Sequence, residues 1–181
     1  MADLFLDTIP YGAHTTASDA LWCGVPVLTL SGRSFASRVC GSLVTAAGLP
    51  ELVCHTPTEF VERAIQLGLH REQRQPLAQR LRENRRTCTL FDTPLLVREL
   101  EALYGQMWAE QARGELPRPD LKNLEAYLEV GSTLEPDLRE LETDAAYEAF
   151  WLERLERRHR QRPLEPDSRL LSRELLTTWE R

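Results

Sequence analysis

The first 24 residues place a strand, a small-residue turn and a helix in immediate succession, and this pattern constrains the fold more than any other feature. The apolar run 4–6 predicts a strand that is covered on both faces. Residues 10–13 predict a turn in which Gly12 adopts backbone angles that other residues resist. A helix is predicted to begin at His14, Thr15 and Thr16, whose threonine hydroxyls suit capping of its free N–H groups, and to end at Gly24.

The start of this predicted helix suits the chemistry of phosphate groups. A helix N-terminus offers unpaired amides and about half a positive charge, so it attracts anions without a metal. Thr15 and Thr16 add hydroxyl donors, and His14 can donate from its ring. Asp19, one turn further on, can accept from ribose hydroxyls. The spacing therefore predicts a pocket for the diphosphate of a sugar nucleotide, and it is equally typical of a capped helix with an incidental histidine.

The next segments alternate between strands and helices. Strands are predicted over 25–30 and 51–54, and helices over 34–47 and from residue 56 onward. This alternation is the signature of an α/β fold with a parallel sheet.

Beyond residue 60 the sequence predicts helices only. A charged helix over 73–86 turns Leu77 and Leu81 inward. A longer helix over 94–113 has an apolar stripe, which we expect to pack into the core. The stripe consists of Leu96, Leu100, Leu103, Met107 and Trp108.

The last third of the chain differs in composition from the rest. It is rich in Glu, Arg and Leu, and prolines from Pro117 onward break it into pieces. Helices are predicted near 121–130, 137–161 and 168–179, the second with an apolar seam. The seam consists of Tyr147, Phe150, Trp151 and Leu155.

Composition excludes several classes of function. The net charge of −6 argues against a general binder of nucleic acid or of acidic membranes. No apolar run is long enough to span a bilayer, and no basic-then-apolar leader is visible, so we expect no membrane partner. The widely spaced cysteines fit a reducing compartment, so we expect a cytoplasmic protein. The cysteines are too widely spaced for a zinc site, and Cys23 and Cys40 are predicted to be small buried residues.

Five segments resemble the donor-site region of the protein O-linked N-acetylglucosamine transferases, glycosyltransferase family 41, whose relatives include the plant Spindly proteins. The first of them lies at 7–22 and reads DTxPYxAHTTASDALW, where x marks positions outside the match. The others lie at 24–39, 43–52, 90–93 and 100–108, so the resemblance covers about the first 110 residues. One departure is Gly12, where bacterial members usually have asparagine beside the expected sugar pocket.

The resemblance implies a fold and a domain organisation. Residues 1–114 would be the C-terminal half of the donor-binding lobe of a GT-B glycosyltransferase, a partial Rossmann-like parallel sheet. Residues 115–181 would form an all-helical extension. The family's acceptor-side lobe, its tetratricopeptide segment and a phosphate-binding lysine have no counterpart in these residues. A separately encoded lobe is therefore an expected partner, and the chain alone is expected to bind donor weakly and to lack transferase activity.

The resemblance also implies an activity, namely inverting transfer of N-acetylglucosamine from UDP-GlcNAc to Ser or Thr of proteins. His14 would be catalytic and lie near the sugar and diphosphate, Thr15 and Thr16 would hold phosphate oxygens, and Asp19 would hold the ribose. No metal or other cofactor is expected, and the catalytic base is not assigned. Two alternatives stay open, namely a Spindly-like enzyme that uses GDP-fucose and a non-catalytic interaction protein derived from the family.

Overall fold

A computed structural model describes residues 2–115 and 118–180 of the chain. These residues form two compact units, Met1–Ala109 and Glu110–Arg181. The domain boundary expected from the sequence, between residues 114 and 115, stays a prediction. Pro117, the first of the prolines expected to break the tail, lies outside the described residues.

Residues 2–115 form three strands, five α-helices and two short 3-10 turns. The elements are β1 (Phe5–Leu6), α1 (Thr15–Trp22), β2 (Val27–Leu30), α2 (Phe35–Ala46), β3 (Val53–Cys54), α3 (Pro57–Leu69), α4 (Arg71–Asn84) and α5 (Thr93–Arg113), with 3-10 turns at Pro50–Leu52 and Thr89–Phe91. The predicted alternation of strands and helices, followed by helices alone, is therefore confirmed.

The three strands form one parallel sheet in the order β1-β2-β3. Phe5 pairs with Val27 on one side of β2, and Thr29 pairs with Val53 on the other. The side chains of all four β2 residues are buried, because helices cover both faces of a parallel sheet. The predicted α/β fold with a parallel sheet is correct.

The first strand differs from its prediction. We expected the run 4–6 to be covered on both faces, but Leu6 is 51% exposed and Phe5 is only half-buried. Among the described residues β1 pairs only with β2, so it is an edge strand, and an edge strand can leave side chains open to solvent.

The helix ends follow the glycine signals. Gly24 has φ +77° just after α1, and Gly48 has φ +87° just after α2. These left-handed angles suit glycine and close the last turn of each helix. On α4, Leu77 and Leu81 are buried in the core, as predicted.

Helix α5 contradicts the prediction that its stripe packs into the core. No described residue of α5 is buried, and Trp108 is 77% exposed. Leu96, Leu100, Leu103 and Met107 are also exposed. Helical periodicity shows which side chains share a face, but it does not show whether anything covers that face.

The described residues of the second unit form helices joined by irregular connections, and no strand is among them. Its helices are α6 (Leu124–Ser132), α7 (Pro136–Arg139), α8 (Asp144–Gln161) and α9 (Arg173–Trp179). The helix predicted over 137–161 is divided in two, because the Thr143 hydroxyl accepts from the Ala146 amide and starts a new helix there. Phe150 and Leu155 are buried in the core of this unit, as the seam predicted.

Two further findings concern the surface. Cys40 is buried as predicted, but Cys23 is exposed, because it follows α1 at its solvent-facing end. No helix in the described part of the chain combines the length and apolarity needed to cross a membrane.

Candidate functional site

The candidate site lies at the carboxyl edge of the sheet, where β1 and β2 both end. Residues 7–14 connect β1 to α1, and residues 31–34 connect β2 to α2. Because β1 and β2 are parallel neighbours, both connections lie at the same edge. This is the edge at which parallel α/β sheets bind ligands.

A buried carboxylate holds the first connection in place. Asp7 is 9% exposed, and its Oδ1 accepts from the amides of Thr8 at 2.9 Å and Ala13 at 2.7 Å. Its Oδ2 accepts from the Thr29 hydroxyl at 2.7 Å. Asp7 thus ties both ends of the connection to β2 and fixes the point at which α1 begins.

Gly12 is needed because the backbone packs closely there, and not because it adopts an unusual backbone angle. Its φ is not among the positive values of the chain, so the expectation of special angles is wrong. A Cβ at Gly12 would lie 3.1 Å from the Ala36 carbonyl oxygen and 3.1 Å from Asp7 Oδ2. The Gly12 amide donates to that same carbonyl at 3.2 Å, so glycine allows the connection to pass close to α2.

The N-terminus of α1 has no side-chain cap. His14 occupies the cap position, and no side chain accepts a hydrogen bond there, so the expected capping by threonine is wrong. Thr15 and Thr16 are the first two helical residues, one position too late for a capping hydroxyl. The first amide of this helix that bonds to the backbone is that of Ser18, to His14 O at 3.1 Å. Among the described residues, the amides of 15–17 therefore have no acceptor.

The ring of His14 is held by three contacts. Its Nε2 lies 3.2 Å from the Ala36 carbonyl oxygen, and since a carbonyl can only accept, Nε2 donates. Tyr11 stacks on the ring with centroids 5.1 Å apart, and Phe35 meets it edge-on at 6.0 Å. Tyr11 and Phe35 are 66% and 77% exposed, so His14 lies between two solvent-facing aromatic rings.

The other predicted site residues lie on the same helix. Thr15, Thr16 and Asp19 are all exposed, and Asp19 is one turn beyond Thr15. Among the described residues, none of these three side chains has a hydrogen-bond partner. The structure thus brings His14, Thr15, Thr16 and Asp19 together within six consecutive residues, 14–19, at one solvent-facing helix start.

A cysteine lies beneath the site but supplies no nucleophile. Burial raises the pKa of the Cys40 thiol to about 12, and the negative charge of Asp7 adds to this effect. The thiol therefore stays protonated at neutral pH, and a protonated thiol is a poor nucleophile. Cys40 contributes packing under the connection that Asp7 anchors.

Sequence reasoning missed the anchor and the ring stack. Asp7 follows a strand directly, which is a usual place for a turn residue, and its burial depends on Thr29, which is 22 positions away. A threonine inside an otherwise apolar strand was the available signal, because a buried hydroxyl needs a partner. No sequence pattern predicts the contacts of Tyr11 and Phe35 with His14, since these contacts depend on how α2 approaches the connection.

Comparisons with known proteins found a matching family and several similar proteins. Residues 1–100 match the family described as Glycosyl transferase family 41. The chain is 42% identical over 119 residues to the probable UDP-N-acetylglucosamine–peptide N-acetylglucosaminyltransferase SEC of Arabidopsis thaliana, covering 65% of this chain and 12% of that protein. The corresponding transferase of Caenorhabditis elegans is 39% identical over 114 residues, which is 63% of this chain and 10% of that protein.

A solved structure gives the same result. A mutant of the Thermobaculum terrenum O-GlcNAc transferase superposes with a TM-score of 0.58 at 39% identity, covering 62% of this chain and 22% of that chain. The chain thus spans 10% to 22% of the length of these three relatives. Each of the three matches covers about two thirds of this chain.

Proposed function

This chain belongs to glycosyl transferase family 41, and we propose that its first unit is the nucleotide-sugar-binding part of a protein O-linked N-acetylglucosamine transferase. The donor would be UDP-GlcNAc, which agrees with the names of the plant and nematode relatives. The acceptor would be a serine or threonine of a protein. The proposal covers donor binding by these residues, because the acceptor-side lobe that the resemblance implies is not among them.

The observation that carries the proposal is the open N-terminus of α1. The amides of residues 15–17 point out of the helix with no acceptor among the described residues, at the ligand-binding edge of the sheet. Such a terminus has about half a positive charge, which stabilises a diphosphate. The proposal assigns neutralisation of the diphosphate to these amides and to the hydroxyls of Thr15 and Thr16, with no divalent cation required.

His14 is the proposed catalytic residue. Because Nε2 donates to the Ala36 carbonyl, Nδ1 of the neutral ring is left as an acceptor. Donation from Nδ1 to the diphosphate therefore requires the imidazolium form. In that form the ring would stabilise the negative charge that builds on the departing diphosphate, and Tyr11 would hold the ring in place.

Asp19 is proposed to hold the ribose. Its carboxylate is exposed and lies one turn from the amides proposed to bind phosphate, a short distance that suits the adjoining ribose. In the inverting transfer, the acceptor hydroxyl oxygen bonds to the anomeric carbon as the bond from that carbon to the diphosphate oxygen breaks. The hydroxyl proton passes to a base, which the proposal does not assign, and UDP departs.

A titration followed by ¹⁵N–¹H correlation NMR tests the proposal, since it detects weak binding and locates it. We expect UDP-GlcNAc and UDP to shift the amide signals of Thr15, Thr16 and Ala17, and uridine to shift them far less, because it lacks the diphosphate. GDP-fucose is the matched alternative donor, and stronger shifts with it would change the donor assignment. Unchanged amides of residues 15–17 with every nucleotide would contradict the proposal and favour the interaction protein.

A further inference from the structure

We propose that a second site, at the opposite edge of the sheet, binds a small phosphate dianion. A cavity of about 190 Å³ lies ahead of the amino ends of β1 and β2, lined by Asp3, Gly24 and Val25. Its other wall comes from α4. The candidate donor site lies at the carboxyl ends of the same strands, so the two sites are at opposite edges of one sheet.

Three guanidinium groups line this cavity. Arg71, Arg74 and Arg82 belong to α4, and among the described residues no carboxylate forms an ion pair with any of them. One acidic residue, Asp3, also lines the cavity. The lining therefore has three positive charges and one negative charge, in a chain whose net charge is −6.

Two of the arginines are held by the fold. Arg74 Nη1 donates to the carbonyl oxygens of Leu67 at 2.6 Å and Gly68 at 3.2 Å, at the end of α3. The Arg82 side chain lies against Gly24, where an added Cβ would be 3.0 Å from Arg82 Cγ. Gly24 thus leaves room for Arg82 beside the strand edge, and the two arginines do not have to be ordered by the ligand.

Three cations line this cavity with a single carboxylate, so the lining has an excess of two positive charges, which a bound dianion would balance. Guanidinium groups bind phosphate through paired N–H···O bonds, so phosphate is the anion they recognise best. The size of the cavity favours a small ligand, because pockets that enclose drug-sized molecules measure about 300–1,000 Å³. Inorganic phosphate or a compact phosphomonoester fits these limits, and a nucleotide sugar does not.

Cys23 provides a local reporter of occupancy. It is exposed and lines the cavity, whereas Cys40 is buried and serves as the unreactive internal reference. The measurement is the rate of Cys23 alkylation by iodoacetamide, read by peptide mass spectrometry, with ionic strength held constant by chloride. At a phosphate concentration of about twice its Kd, we expect roughly threefold slower alkylation, since the free fraction falls as 1 + [L]/Kd.

Matched variants decide whether the arginines cause the effect. The double variant Arg71→Gln/Arg82→Gln should abolish protection of Cys23 by phosphate, and Arg86→Gln, an exposed arginine outside the lining, should keep it. The UDP-induced amide shifts of residues 15–17 should persist in the double variant, so failure here is separable from failure of the proposed function. Absence of protection by phosphate, or equal protection in the double variant, would overturn the proposal.

The phosphate group could come from a soluble metabolite or from a lipid headgroup. Glycerol 3-phosphate tests the soluble source, and phosphatidylcholine vesicles containing phosphatidic acid test the lipid source. Protection of Cys23 by glycerol 3-phosphate supports a cavity for small ligands. Protection by the vesicles alone would overturn it, because it would indicate a surface patch instead.

Discussion

At the scale of single residues, two carboxylates near the start of α1 have opposite roles. Asp7 is buried with three donors, whereas Asp19 is exposed without a partner among the described residues. We expect Asp7→Ala to lower the free energy of unfolding of the first unit by about 3 kcal/mol, because it leaves buried donors unpaired. Asp19→Ala should change it by less than about 0.5 kcal/mol.

Urea unfolding of both variants checks this prediction. Thr29→Val is the second control, because it removes one of the three donors to Asp7 and should cost less than Asp7→Ala. Equal stability of the Asp7→Ala and Asp19→Ala variants would mean that the buried hydrogen bonds do not anchor the connection.

At the scale of elements, α5 has an apolar stripe that the described residues leave exposed. Leu103 and Met107 are exposed, so Leu103→Gln/Met107→Gln should change the free energy of unfolding by less than about 0.5 kcal/mol. Leu81→Ala on the buried face of α4 is the contrast and should cost about 2–5 kcal/mol. If the double variant cost as much as Leu81→Ala in urea unfolding, the stripe would be packed in solution.

Local signals predicted the elements well, and contacts distant in sequence explain what was missed. The ends of α1 and α2 follow from Gly24 and Gly48, which were readable as stops because glycine tolerates their backbone angles. The buried face of α4 was predictable because Leu77 and Leu81 are apolar residues in an otherwise mostly polar helix. The exposure of Trp108 could not be predicted from the sequence, because an apolar stripe shows which side chains share a helix face and not whether another element packs against that face.

The candidate site was predictable to the same degree. The position of His14, Thr15 and Thr16 at a helix start came from local pattern, and the structure agrees with it. The anchoring by Asp7 depends on Thr29 in the neighbouring strand, which no local pattern gives. The hydrogen bond between the His14 ring and the Ala36 carbonyl likewise depends on how α2 approaches the connection.

At the scale of the whole molecule, the stability of the second unit should depend on pH through the carboxyl group of Asp167. Burial alone would raise the pKa of Asp167, but hydrogen bonds from Asn123, Tyr127 and the amides of Arg169 and Leu171 outweigh it and lower that pKa below the ordinary 3.8. The unfolded chain therefore takes up this proton first as the pH falls. The stability that Asp167 adds is complete above the ordinary pKa and is lost as the pH falls through the lowered native value.

We expect the second unit to lose stability between about pH 5 and the lowered pKa of Asp167, and Asp167→Asn to reduce that dependence. The measurement is urea unfolding at pH 7 and at acid pH, followed by the NMR signals of α6 and α8. Asp137→Asn, an exposed acid in the same unit, is the matched control and should keep the dependence of the wild type. An Asp167→Asn variant with the same pH dependence as the wild type would show that another group is responsible.

The central claim is that the open N-terminus of α1 binds the diphosphate, and a charge placed there tests it most directly. Thr15→Glu adds a carboxylate at the first helical position, which should raise helix stability by about 0.3–1 kcal/mol through the helix dipole. The same carboxylate should compete with UDP for the free amides. Thr15→Gln has the same shape and no charge, so it controls for loss of the hydroxyl.

The measurement is the Kd of UDP by NMR titration of the wild type and of these two variants. We predict that Thr15→Glu weakens UDP binding by at least about tenfold relative to Thr15→Gln, a change of about 1.4 kcal/mol, because Thr15→Gln loses only the hydrogen bond of the hydroxyl. Equal Kd values for the Glu and Gln variants would contradict the account, because they would show that the diphosphate does not lie at this helix terminus.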